Sequence, residues 1–157
     1  MVVVAMLWAT WRSTALLKWV AGAASADDRL VCALTGDDGV EADEALADGA
    51  SVEARDTNGI TPLMAAAWRG NIRAAKDLVG RGADVGATDK WGNTAIMYAC
   101  RSDRVEMIDF LLDHGADPSH LNASGQTPAA VADSFRAYGA LRVLQSDSSG
   151  RGRPPGK

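Results

Sequence analysis

The chain has 157 residues, 47% of them hydrophobic, with 16 Lys and Arg against 20 Asp and Glu for a net charge of −4. That length holds one domain with short flanks, and the hydrophobic share supports a buried core in a single soluble globular unit. The cations are scattered rather than gathered into the basic stripe that neutralises phosphates, so nucleic acid is not expected as the main partner.

Residues 1–26, MVVVAMLWATWRSTALLKWVAGAASA, contain no Asp or Glu, carry only Arg12 and Lys18 as charges, and hold three of the five tryptophans. Arg12 and Lys18 interrupt every run of the about 20 apolar residues that a transmembrane helix needs. A secretory signal has its positive charge ahead of the apolar run, whereas here the charge follows it, although AGAASA has the form of a cleavage site. The composition fits an apolar leader helix that packs on the first repeat or stays disordered. It also fits a transit or signal segment, or reversible attachment to a membrane surface through the tryptophans. The default expectation is a cytoplasmic or nuclear protein, with organelle targeting through this acid-free start as the alternative. Cys32 and Cys100 sit in Ala-rich apolar stretches, LVCAL and MYACR, as small packed side chains rather than a disulfide framework. That favours a reducing compartment.

From Asp27 onward the chain repeats itself. DTNGITPLMAAAWRGNIRAAKDLVGRGADVGAT at 56–88 aligns with DKWGNTAIMYACRSDRVEMIDFLLDHGADPSHL at 89–121, each 33 residues long. Gly59, Gly92 and Gly125 fall in register, as do Thr61, Thr94 and Thr127. In each unit the threonine can cap a helix, and Pro62 suits the first helical position because its missing N–H would be unpaired there anyway. The first helix therefore starts near Pro62, is short and Ala-rich, and ends at Gly70, where glycine can turn left-handed. A second helix follows, with Ile72, Ala75, Leu78 and Val79 matching Val105, Ile108, Leu111 and Leu112 as an apolar stripe. Gly82 and Gly115 close it, and an extended turn leads to the next unit.

A glycine, then TPLMAA, then LV and GADV in a unit of this length resembles the ankyrin repeat, whose signature is T-P-L-H-x-A over 33 residues. The resemblance covers roughly residues 27–145. It implies an all-α solenoid of stacked helix-turn-helix units with projecting β-turn or hairpin tips, in about four repeats at 27–55, 56–88, 89–121 and 122–145. The sequence departs from the family pattern in places. Met64 and Met97 stand where the family usually has histidine, so thioether packing is expected to replace inter-repeat hydrogen bonds. Ala95 replaces the proline and Asp103 the glycine that ends the first helix, which is expected to weaken local geometry.

The ends are degenerate. DDRLVCALTGDDGVEADEALADGASVEAR keeps the Ala-rich helix but has one extra residue between Gly36 and Gly49. Downstream, Tyr138, Leu141 and Leu144 occupy the register of Ile72, Ala75 and Leu78, while Gln145 replaces the apolar Val79 and Leu112. A polar residue there suits a terminal unit, whose outer face meets water. Residues 146–157, SDSSGRGRPPGK, have the composition of a disordered, mildly basic tail.

Catalytic chemistry finds little support. Asp113, His114, Asp117 and His120 could be drawn as a metal or acid–base cluster, and a metal-dependent enzyme is the remote alternative. The preceding unit has Arg81, Asp84 and Ala87 at the positions of His114, Asp117 and His120, which marks an ordinary inter-repeat turn. The tail's GRGRPPGK lacks the glycine spacing, the Ser or Thr and the helix of a phosphate loop. No Ser or Cys stands in a nucleophile elbow. The chain is expected not to be an enzyme and to need no metal, cofactor or small-molecule substrate.

The resemblance implies a module that binds another protein through its concave groove and turn tips, as an adaptor, scaffold or regulator. An organelle- or membrane-localised docking protein directed by residues 1–26 is the alternative, with membrane contact only through that segment. A monomer is expected. Carried over position by position, the contacts are Thr57, Asn58, Ile60, Trp68 and Arg69 in one unit, and Lys90, Trp91, Asn93, Arg101 and Ser102 in the next. Ala123, Ser124, Gln126 and Phe135 continue the row. These side chains are expected to be free of any stacking duty. Trp68 aligns with Arg101 and Trp91 with Asn58, an exchange that core positions would not tolerate; Trp68 either lies flat over the neighbouring repeat or is exposed, while Trp91, at a turn tip, is expected to be exposed, as a common interface anchor.

Overall fold

The computed structural model of the protein describes Leu30 and residues 48–148. Within residues 48–148 six helices form three consecutive pairs: α1 (Pro62–Arg69) with α2 (Ile72–Gly80), α3 (Ala95–Arg101) with α4 (Val105–Asp113), and α5 (Pro128–Ser134) with α6 (Tyr138–Ser148). The expected all-α repeat architecture is observed, and no strand is assigned among the described residues. The leader at 1–26, most of the first repeat, Cys32, and the tail from residue 149 lie outside the described residues. Helix α6 runs through Ser148, past the boundary expected at residue 145.

Each inner helix begins on its threonine. Thr61 Oγ1 accepts the N–H of Met64 at 3.3 Å, and the Met64 sulfur in turn accepts the N–H of Thr61 at 3.4 Å. The thioether thus closes a capping box, a role usually taken by Glu or Gln. Thr127 Oγ1 likewise accepts from Ala130 at 3.2 Å. Thr94 makes no such bond, and its buried hydroxyl has no partner.

All three inner helices end in the same turn. After α1, Gly70 donates to Ala67 and Asn71 to Ala66. After α3, Asp103 donates to Cys100 and Arg104 to Ala99. After α5, Arg136 donates to Asp133 and Ala137 to Ala132. This is the Schellman pattern, which needs one left-handed residue. Gly70 supplies it at φ 76°, and Asp103 and Arg136 supply it at φ 53° and 57°. The aspartate therefore preserves the geometry it was expected to weaken. Gly82 and Gly115 take φ 92° and 90° past the outer helices, and Gly49 matches them at 91°. With Ala50, Ala83 and Ala116 each buried one residue further on, the turn at 48–50 already follows the repeat.

Small side chains explain the stacking. Ala65, Ala66 and Ala67 on α1 and Ala99 on α3 are fully buried, so α1, α3 and α5 approach closely as an inner row, with α2, α4 and α6 behind them. Ala75, Leu78, Met107, Ile108, Leu111 and Leu112 fill the space between the layers, and Leu30 is buried in the same core. The apolar stripe is one position shorter than expected at its start. Ile72 is half-buried, Val105 is exposed, and Tyr138 is 68% exposed. Gln145 is exposed on the last helix, as a terminal unit requires.

Candidate functional site

The turn tips are built alike. Asp56 Oδ1 accepts the N–H groups of Asn58 and Ile60, Asp89 Oδ1 those of Trp91 and Asn93, and Asn122 Oδ1 those of Ser124 and Gln126, all at 2.7–3.0 Å. Each tip is also closed by a backbone bond, Asp56 to Ile60, Asp89 to Asn93 and Asn122 to Gln126. Adjacent tips are joined: Lys90 N–H donates to the Asn58 carbonyl at 3.1 Å and Ala123 N–H to that of Trp91 at 2.9 Å. Such close approach needs glycine, since a Cβ on Gly92 would lie 3.0 Å from the Ala123 nitrogen.

Behind the tips runs a polar ladder. Asp89, only 7% exposed, also accepts from Asn93 Nδ2 at 3.0 Å and from the Tyr98 hydroxyl at 2.7 Å. Asn93 Oδ1 accepts from Asn122 Nδ2 at 2.9 Å, which carries the ladder into the next unit. Burial by itself would raise the Asp89 pKa. The bonds from Asn93, Tyr98 and the Trp91 backbone outweigh it and hold the carboxyl below its ordinary value. Burial, and then the bond to Asp89, push the Tyr98 hydroxyl well above its ordinary pKa, so it remains a donor to an ionised carboxylate.

Between the α3 and α5 units an open recess of about 280 Å³ is lined by Trp91, Asn93, Tyr98, Arg101, Ser124 and Phe135 among others. Trp91 and Phe135 are each 52% exposed, and the Arg101 guanidinium lies 4.8 Å over the Phe135 ring. Trp68, 46% exposed at the end of α1, carries the Arg69 guanidinium 5.6 Å from its ring centre. Of the expected contact residues, Trp91, Asn93 and Arg101 come together here, along with Ser124, Gln126 and Phe135. Thr57, Asn58, Trp68, Arg69, Lys90 and Ala123 are exposed outside it, and Ser102 is half-buried.

Among the expected contacts, Ile60 and Asn93 carry structural duty. Ile60 is half-buried against the core. Asn93 spends its amide on Asp89 and Asn122. Tyr98, Asn122 and Val131 line the recess without having been expected there. Tyr98 could have been found, because it is an outsized residue in register with Ala65 and Val131.

The Asp/His turn does not assemble a site. His114 Nδ1 lies 2.8 Å from the Phe110 carbonyl, with its ring 4.2 Å from the Phe110 ring. His120 Nε2 instead reaches the Gly92 carbonyl at 3.0 Å, as a strut to the preceding tip. Asp117 accepts from the hydroxyl and N–H of Ser119, which hold its carboxyl below the ordinary value. Among the described residues no three His, Cys, Asp or Glu side chains gather to hold a metal, and no helix is long and apolar enough to cross a membrane. The Cys100 thiol is buried, and burial followed by the charge of Asp103 pushes its pKa up to about 12, so it stays protonated.

A search among curated proteins found no match for the chain. A family model described as ankyrin repeats in three copies matches residues 63–150, which span the three helix pairs from the second residue of α1 onward. That match, the 33-residue register and the threonine-capped inner helices agree, and the chain belongs to the ankyrin repeat family.

Proposed function

We propose that the protein docks a partner protein in the groove formed by the inner helices and turn tips, and acts as an adaptor, scaffold or regulator. Ankyrin repeats are generally protein–protein interaction modules, and the family is typically non-enzymatic. The observation that carries the proposal is the exposure of Trp68, Trp91 and Phe135 on successive units, with Trp91 and Phe135 facing one recess. A large rigid ring left half in water gains most when a partner covers it, and exposed aromatics with arginine beside them have the composition of an interaction hot spot. The test is affinity capture with mass spectrometry on the wild type beside a Trp68→Ala, Trp91→Ala double variant. Partners held in the groove are recovered by the first and lost by the second. A partner set that both proteins retain would place binding elsewhere.

The acid-free segment at 1–26 supports a second proposal, that it directs the module to an organelle or membrane surface. Fusing it to a fluorescent reporter tests this. A diffuse reporter would remove the idea.

A further inference from the structure

We infer that the recess between the α3 and α5 units receives an acidic peptide segment of the partner, an Asp or Glu side chain next to an apolar one, with Arg101 as the residue that selects the carboxylate. The inference rests on the groove being the docking surface and adds what the groove prefers.

The charge pattern carries it. Among the described residues Arg101 is the one cation lining the recess, and no carboxylate lines it. The chain as a whole has the opposite balance, 16 basic against 20 acidic residues, so the recess runs against the net charge of the molecule. The carboxylate of the adjoining ladder, Asp89, is buried and already accepts from the Trp91 and Asn93 backbone, the Asn93 amide and the Tyr98 hydroxyl. It is thus not available to pair with Arg101. Arg101 is exposed, lies over the Phe135 ring and makes no hydrogen bond or ion pair to a described residue. A guanidinium held over a ring and bonded to no described residue keeps N–H donors for a ligand, and their fork geometry is one that a carboxylate matches with two parallel bonds. The ring under it also fixes the side chain before the partner arrives, which lowers the ordering cost of binding.

The remaining walls define the neighbouring residue. Trp91 and Phe135 offer exposed apolar surface over the buried Met97 and Val131, and the exposed Ser124 offers a hydroxyl. An aliphatic or aromatic side chain beside the acid would cover Trp91 while the carboxylate reaches Arg101. A phosphorylated residue fits less well, because a dianion with three acceptor oxygens calls for clustered arginines and only one cation lines this recess.

The test is selection of a random dodecapeptide display library on the full chain, followed by titration of selected peptides against variants whose fold is checked by circular dichroism. Selected sequences should be enriched in Asp or Glu next to an apolar residue. Changing that acid to its amide should weaken binding about tenfold, Arg101→Gln should do the same, and the two together should cost little more than either. Arg101→Lys, which keeps the charge without the fork, should fall between. Peptides that need Trp91 but show no acid enrichment, or that ignore Arg101→Gln, would overturn the carboxylate inference and leave groove docking standing. Peptides insensitive to Trp91→Ala, or a library that yields none, would count against both. A phosphoserine in place of the acid that binds about tenfold more tightly would identify a phosphopeptide site instead.

Discussion

Asp103 Oδ1 accepts the backbone N–H of Ala140 at 2.7 Å, so the residue that ends the inner helix of one unit caps the outer helix of the next. Helix α6 begins at Tyr138, and the residue before it, Ala137, has no side chain that could serve. The cap arrives from 37 residues away. The departure from glycine at this position therefore exchanges backbone ease for an inter-repeat tie.

Asp103→Ala keeps a left-handed φ on a residue with no compensating bond and removes the cap, so it should destabilise the protein by about 1–2 kcal/mol. Asp103→Gly loses the same cap but relieves the backbone by a similar amount, and should lie within about 0.5 kcal/mol of wild type. Urea midpoints at constant slope measure both. If the alanine variant is as stable as the glycine variant, the cap contributes nothing in solution.

The inner-helix threonines should separate by partner. Thr61→Val removes a cap to the Met64 N–H and should cost about 1 kcal/mol. Thr94→Val removes a buried hydroxyl that has no partner, so it should be neutral or slightly stabilising. Thermal unfolding of the two variants side by side reads the difference. Equal losses would mean that Thr94 finds an acceptor in solution.

Acid should act through Asp89. Its folded pKa lies below the ordinary value of 3.8, so its contribution is present above that value and is lost as pH falls through the folded pKa. Tyr98→Phe deletes one of the bonds that hold the carboxylate ionised, and should cost about 1.5–3 kcal/mol near neutrality. The gap between wild type and variant should narrow below about pH 4. Stability curves recorded from neutral pH downward check the sign, and a gap that widens in acid would contradict it.

In the groove, Trp91→Ala should weaken capture of the partner at least about tenfold, or about 1.4 kcal/mol, with little change in thermal stability. Arg101→Ala should add a further loss of up to about tenfold. Lys76, exposed on the outer helix α2, is the control, and Lys76→Ala should have no effect. Loss from Lys76→Ala alone would move the interface to the outer face.

What the sequence made legible was whatever a single unit settles by itself. The threonine caps, the left-handed glycines and the 33-residue register are local hydrogen-bonding rules repeated along the chain, so Pro62 as the first helical residue and the turn at Gly70 follow directly. The recess depends on residues one unit apart. Tyr98 displaces what would be alanine surface and turns its hydroxyl to Asp89, and Asn93 is drawn into a bridge to Asn122, neither of which periodicity encodes. The left-handed φ of Arg136 was equally hidden. Arginine has no preference for that region, and the conformation is imposed by the Schellman turn around it.

The tips hold their shape through glycines at 59, 92 and 125 and through the side chains at 56, 89 and 122, which accept the backbone N–H groups two and four residues on. Thr57, Asn58, Lys90, Trp91, Ala123 and Ser124 lend the scaffold main-chain atoms and present exposed side chains. At these six positions an amino-acid change should hardly disturb the fold, and under the proposed groove docking it would be felt by the partner. The tips can therefore diverge quickly among descendants of this chain, and a designer could diversify them as a library without first stabilising the framework.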